Sequence, residues 1–359
     1  MQKEILLAHF PKITVNRYQQ LLAAFSSLDE VWEAEFDELL KSKIDEKIIH
    51  EFLIWKEKLD EEKIYKILEQ EKINCVTLQD KNYPKLLKEI YDPPFCLFVR
   101  GDLRQDDFNL AVVGTRKYST YGKQVTENLV ADLARQGVVI VSGLAFGIDI
   151  IAHITTLQNH GKTIAVLGSG INKRHIYPGE HRNIAQQIIE SNGALISEYP
   201  PGTLPNKFTF PRRNRIIAGM SLGTLVIEAA EKSGALITAE CAMEAGREVF
   251  AIPQNITSLT SQGPNNLIKN GAKLVTTSQD ILEGLDLQDI EVYVTNKQIL
   301  GDSPQENAIL TVLSQEPHHI DEITKTSGLS GTEISSTLTI MEMKGKVRNL
   351  GNMMYVVRV

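Results

Sequence analysis

Between residues 105 and 290 the chain repeats one pattern. A short run rich in Val, Ile or Leu ends near Gly, Ser or Pro, and a stretch of helical periodicity follows most such runs. The runs are "NLAVVG", "VVIVSG", "TIAVLG", "ALISEY", "GTLVIE", "EVFAIP" and "AKLVTT". Strands that are apolar throughout are covered on both faces, and parallel strands joined by helices give that arrangement. The pattern predicts an α/β fold: a Rossmann-like, doubly wound, mostly parallel sheet. Ligands of such sheets bind outside the carboxyl ends of the strands. The chemistry is therefore sought in the residues that follow each run.

The flanks differ from this core. "YQQLLAAF", "LDEVWEAEFDELL" and "DEKIIHEFLIWKEKLDEEKIYKIL" place apolar residues three and four apart, which predicts three to five helices over residues 1–70. Residues 1–100 contain no glycine, so hairpins that present backbone amides to phosphate are missing there. Residues 71–104 read as a linker and lead-in, stiffened by Pro93-Pro94 before "FCLFVRG". A polar linker spans 291–303, and residues 304–359 read as three helices and a hairpin turning at Gly351, the pattern of a winged helix. Its third helix, "TEISSTLTIMEMK", sets Glu333 and Glu342 against Lys344. That face suits protein contact better than phosphate.

Composition narrows the function. No apolar run approaches the roughly 18 residues of a membrane span, and "MQKEILLAHF" lacks a cleavage site, which predicts a cytoplasmic protein without membrane insertion. Cys75, Cys96 and Cys241 form no C-x-x-C and no metal set. The net charge of −7 excludes a basic footprint over the whole protein. Positive charge is instead local: Pro205 to Gly219 hold Lys207, Arg212, Arg213 and Arg215 and no acid. Local fields decide how an anionic ligand is held.

Four loops carry that chemistry. In "VVGTRKYSTYG", Gly114 allows close approach, Arg116 offers a fork that matches phosphate, and Ser119 can cap a helix or donate to an oxygen. "SGLAFGID" brings Gly143, Phe146 and Gly147, with Asp149 and His153 at helical spacing. Ser142 lacks the G-x-S-x-G elbow of a hydrolase. "VLGSGINKRHIYPGEHRN" is basic through Lys173, Arg174 and Arg182, but has only a lone G-x-G. In "PPGTLPNKFTFPRRNRIIAGMS", Pro211 starts a helix whose first turns hold three arginines and Asn214. Cations there oppose the helix dipole at about 0.3–1 kcal/mol each, a cost that a bound anion offsets. Phe208 and Phe210 beside them suit single-stranded nucleic acid, whose bases stack while cations hold phosphates. Glu228 or Glu231 in the next loop could pair with Arg213 or Arg215.

These loops, with "VIEAAEKSGALITAECAMEAGREVFAIP", occur in an order that resembles the DNA-processing protein DprA/Smf family over about 180 residues. The resemblance implies a sterile-alpha-motif-like N-terminal domain, a Rossmann-like core and a C-terminal winged helix. It implies a non-catalytic protein that binds incoming single-stranded DNA and loads RecA recombinase onto it during natural transformation and homologous recombination. Its partners would be RecA, single-strand-binding protein and a second copy of the chain. No cofactor, metal or catalytic residue is implied. The DNA contacts carried over are Arg116, Lys207, Arg213 and Arg215, followed by Ser119, Gly143, Phe146, Arg182, Arg212 and Asn214. The alternative is a nucleotide-processing, phosphoribohydrolase-like enzyme, because "MSLGTLVIE" keeps Gly223, Thr224 and Glu228 of that family's glycine-rich loop. A duplex-binding regulator and an NAD-dependent oxidoreductase rank behind it.

Overall fold

The computed structural model describes residues 2–104, 107–287, 303–313, 318–344, 346–351 and 353–357. It divides into two compact units, Met1–Leu285 and Asp286–Val359.

The first unit begins with α1 (Lys3–Leu7), α2 (Val15–Ala24), α3 (Leu28–Glu33), α4 (Phe36–Leu39), α5 (Glu46–Glu57) and α6 (Glu61–Gln70). Six helices stand where three to five were expected, because α1, α3 and α4 are too short to show a period. Caps set several of the boundaries. The side chains of Thr14, Ser27, Asp45 and Asp60 each accept a backbone N–H of the helix that follows.

Nine strands form one sheet: β1 (Asn74–Thr77), β2 (Cys96–Gly101), β3 (Asn109–Val113), β4 (Val139–Ser142), β5 (Thr163–Val166), β6 (Ala194–Ser197), β7 (Gly223–Val226), β8 (Glu248–Ala251) and β9 (Lys273–Leu274). Their order is β1-β2-β6-β5-β4-β3-β7-β8-β9. All seven core runs are strands, and neighbours among them pair in parallel. Residues 71–104 are more than a linker. β2 pairs antiparallel with β6, and β1 antiparallel with β2. The apolar run after Pro93-Pro94 thus extends the sheet by an antiparallel edge.

Alternate residues face opposite layers, as the period of a strand requires. After α7 (Lys85–Lys88), the connections between strands supply α8 (Thr120–Arg135), α9 (Ile148–Gln158), α10 (Arg182–Glu190), α11 (Thr209–Gly219) and α12 (Gly234–Glu244). Leu97, Val99, Ile164, Val166, Ala194 and Ile196 pack with the last two. Cys96, Phe98, Ala165 and Leu195 pack on the other side, in one cluster with the N-terminal helices. The helical domain therefore shares its core with the sheet. The chain runs outward through β3, β4, β5 and β6, then returns to β7 on the other side of β3. This reversal between β3 and β7 is the switch point where such sheets open a crevice.

In the second unit, helices Pro304–Val312, Ile320–Ser327 and Gly331–Met343 enclose Ile309, Ile323, Ile334, Leu338 and Met341. Strands Val347–Gly351 and Met354–Val357 form the hairpin, and a short strand, His318–His319, joins it. Glu306 is buried and accepts from Lys344 at 2.7 Å and Lys346 at 2.8 Å. Two lysines that follow the third helix are thereby held by an internal carboxylate. Of the linker expected over 291–303, only Ser303 lies within the described residues; it caps the first of these helices.

Candidate nucleic-acid interface

One buried carboxylate builds the crevice. Glu228, just beyond β7, accepts from Ser119 N at 2.9 Å, Ser119 Oγ at 2.5 Å and Thr260 Oγ1 at 3.3 Å. Its backbone oxygen accepts from Thr115 N at 2.7 Å. Ser119 in turn caps α8 (Thr120–Arg135) by accepting from Gly122 N. A Cβ on Gly122 would lie 2.3 Å from the Glu228 carboxylate, so only glycine lets the helix start this close. Gly147, at φ +87°, begins α9 (Ile148–Gln158); a side chain there would meet Thr115 O at 2.2 Å. The β3 loop is thus pinned from two sides, leaving Arg116 exposed beyond it.

The groove this creates encloses about 830 Å³. Its cations are Arg116, Lys117, Lys207, Arg213 and Lys232, and its one acid is Asp149. Asp149 is buried and accepts from Gly143 N at 3.1 Å. Burial raises its pKa, against the pull of Arg213. The exposed rim is therefore positive. The Arg116 guanidinium lies 5.8 Å from the centre of the Phe210 ring, and Tyr177 lies 5.7 Å from the same ring on another approach.

Of the ten residues assigned from sequence, Arg116, Lys207, Arg213 and Asn214 line this groove. Only the first two are exposed. Arg213 is 4% exposed and donates to the backbone oxygens of Gly143, at 2.7 Å, and Val166. Burial lowers its pKa to about 10. Asn214 accepts from Arg213 Nε and donates to Gly234 O, so both side chains are held by internal partners. Arg215 is committed elsewhere: its fork meets Glu198 at 2.8 and 3.0 Å, and Nε meets Asp92 Oδ2 at 3.2 Å. The acids suggested from sequence, Glu228 and Glu231, are not its partners. These internal acceptors offset the unfavourable dipole of α11. Arg212, beside Glu198 at 3.5 Å, faces a different cavity. Ser119 is consumed by Glu228, and Gly143 by its backbone bond to Asp149. Phe146 sits edge-on against His181, and Arg182 donates to Arg174 O at 2.8 Å. None of these four lines the groove.

Phe210, read from the sequence as a stacking ring, lines the groove, and so do Lys117, Tyr177 and Lys232, which were not assigned to it. The sequence carried a signal for Lys117, which adjoins Arg116. Lys232 and Tyr177 come from loops whose direction only the fold supplies.

Ser142, Asp149 and His153 do not form a triad. Ser142 Oγ donates to Val112 O, and His153 Nδ1 lies 2.7 Å from Thr163 Oγ1. Thr163 spends its proton on Ile140 O, so His153 donates from Nδ1, and its Nε2 has no partner. Burial, with repulsion from His181 and Arg213, lowers this imidazole to about 3 from 6.5. The unfolded chain takes up a proton over that window and the folded chain refuses it, so stability falls as pH falls through it. Going from pH 7 to 5 should cost about 2 kcal/mol at this site. Urea midpoints at the two pH values check this. The shift should shrink in His153→Asn, and an equal shift in both proteins would assign the acid sensitivity elsewhere.

Known proteins share this architecture. The family model for DNA recombination-mediator protein A matches residues 74–286, and the DprA winged helix domain matches 296–353. Protein Smf of Escherichia coli is 41% identical over 287 residues, covering 77% of this chain and 76% of the relative. DNA processing protein DprA of Bacillus subtilis is 44% identical, covering 61% and 73%. The X-ray structure of DprA from Streptococcus pneumoniae superposes with a TM-score of 0.66 at 37% identity, covering 78% of this chain and 95% of that one. The Helicobacter pylori DNA processing protein A, solved for its single-stranded DNA binding mode, gives 0.54 at 32%, covering 61% and 97%. With a family model across most of the sheet and relatives spanning three quarters of their own length, this chain belongs to the DNA recombination-mediator protein A, or DprA/Smf, family.

Proposed function

We propose that this chain binds single-stranded DNA in the groove between β3 and β7 and loads RecA recombinase onto it in natural transformation and homologous recombination. The observation that carries the reading is the Arg116–Phe210 pair at the switch point, set among Lys117, Lys207 and Lys232. Flexible cations hold a backbone of any sequence, and rings receive bases at roughly 1–3 kcal/mol each. The DNA-binding relative from Helicobacter pylori supports the same ligand class. Displacement of single-strand-binding protein, assembly as a homodimer and action in the cytoplasm complete the proposal. The chain acts without covalent chemistry. Glu228, the carboxylate a phosphoribohydrolase loop would supply, is 1% exposed and occupied by Ser119 and Thr260.

The test is binding to oligothymidine and to duplex of equal length across salt, by fluorescence anisotropy. Preference for the single strand with a steep salt dependence is the expected result. Faster RecA assembly on DNA already coated with single-strand-binding protein would extend it. Equal binding to both forms, or release of base from a nucleoside monophosphate, would overturn it.

A further inference from the structure

The start of α11 is two-sided. Lys207 and Phe210 face the groove between β3 and β7. Phe208 and Arg212, one helical turn apart, face a second cavity of about 440 Å³ between the N-terminal helices and the sheet. Asn206 lies in the wall of both. Its side-chain oxygen accepts from Phe208 N at 2.9 Å and Thr209 N at 3.2 Å, which fixes the direction of the turn. Each cavity thus receives one aromatic ring and one cation from the same six residues.

The second cavity is walled by His9, Phe10, Phe95 and Tyr199. Phe208 stands at its edge, 73% exposed, with Lys207 Nζ 5.0 Å from its ring centre. The cavity's one acid, Glu198, is held by the fork of Arg215 and by Arg212, so its charge is met internally. His9 gives its Nδ1 to Ile5 O, and burial lowers its pKa. Phe10 and Phe95 are buried against Phe52 and Tyr18 and form the back of the cavity. What remains open to a ligand is the exposed ring of Phe208 and the partly exposed rings of His9 and Tyr199, with a cation at the rim. That chemistry fits a planar base whose phosphate stays outside, and it does not fit a buried phosphate.

Resting on the groove reading above, we propose that the strand leaving the groove crosses Phe208 and places a nucleobase in the cleft between the N-terminal helical domain and the sheet. The helical domain, which lacks a phosphate-binding motif of its own, then contributes one wall of a base subsite. Asn206 lies in the wall of both cavities, so the two sites adjoin across the start of α11.

The full chain is tested with oligothymidines of about 6 and about 16 nucleotides, the short one filling the groove alone. Phe208→Ala should weaken the longer oligomer about tenfold and leave the shorter unchanged. The exposure of Phe208 makes this variant compatible with folding. A 4-thiothymidine in the longer oligomer should cross-link to the segment 8–15. Arg116→Ala should weaken both lengths. If Arg116→Ala weakens both but Phe208→Ala shows no difference between lengths and no cross-link reaches 8–15, the cleft proposal is overturned and the groove stands. If Arg116→Ala changes neither, the groove fails and the cleft proposal falls with it.

Discussion

Replacing Arg116 and Lys207 together by alanine should weaken oligothymidine binding by at least a hundredfold while leaving the urea midpoint within error. Both side chains are exposed, and their contacts in the free protein are with aromatic rings, Phe210 and Phe208. Their removal unpairs no buried group, so stability has little to lose. Affinity has much more at stake. A hydrogen bond to a charged group contributes about 1.5–3 kcal/mol, and two such contacts account for the factor. The salt dependence gives a sharper reading than the affinity. Each phosphate contact adds roughly 0.7 to the slope of log K against log salt for a single strand, so the double variant should flatten it by about 1.4. Weaker binding with an unchanged slope would mean that the two residues shape the groove without touching phosphate.

The sheet was legible because its signal is local. Each run is short, rich in Val, Ile or Leu and ends near Gly, Ser or Pro. For the strands inside the sheet, burial on both faces demands that composition, whereas β9 at the edge leaves Lys273 and Leu274 exposed. The antiparallel edge was harder to see. β2 reads as another apolar run, but its partner β1 carries Asn74, Cys75 and Thr77, and only pairing with β2 makes it a strand. In the site, a cluster of cations was legible and its division was not. Arg212, Arg213 and Arg215 lie within four positions, yet a helix sends them about 100° apart per residue. One meets the cavity beside the N-terminal helices, one enters the sheet, and one reaches Glu198 and Asp92. Distant acids decide which arginine remains available to a ligand, and Glu198 lies 17 residues from Arg215 and Asp92 lies 123. Among the described residues Arg116 has no ion-pair partner. Its exposure follows from the turn at Gly114, set at the strand end, and from the pinning of Thr115 by Glu228 and Ile148, which only the fold brings there.

That division predicts opposite behaviour for Arg215→Ala. The variant should lose about 3–5 kcal/mol of stability, the cost of breaking a buried ion pair from one side. Arg215 and Glu198 are 13% and 8% exposed at their side chains, so solvent does little to replace the lost partner. Of its two arginines Glu198 would keep Arg212 at 3.5 Å, and Asp92 would lose its ion pair with Arg215. For a unit of this size the melting temperature should fall by on the order of 10 °C. Bound to oligothymidine at 25 °C, the folded fraction should show an undiminished salt slope, in contrast to Arg116 and Lys207. Adding Glu198→Gln to Arg215→Ala should restore part of the stability, because the uncompensated carboxylate is the larger share of the penalty. A variant that stayed stable and lost slope would return Arg215 to the DNA path. A variant that melted early, kept its slope and was rescued by Glu198→Gln would make Arg215 the internal partner that holds α11 against the sheet. In that case the last arginine of the cluster serves the fold, and the charge that serves the ligand sits on the loops around the helix.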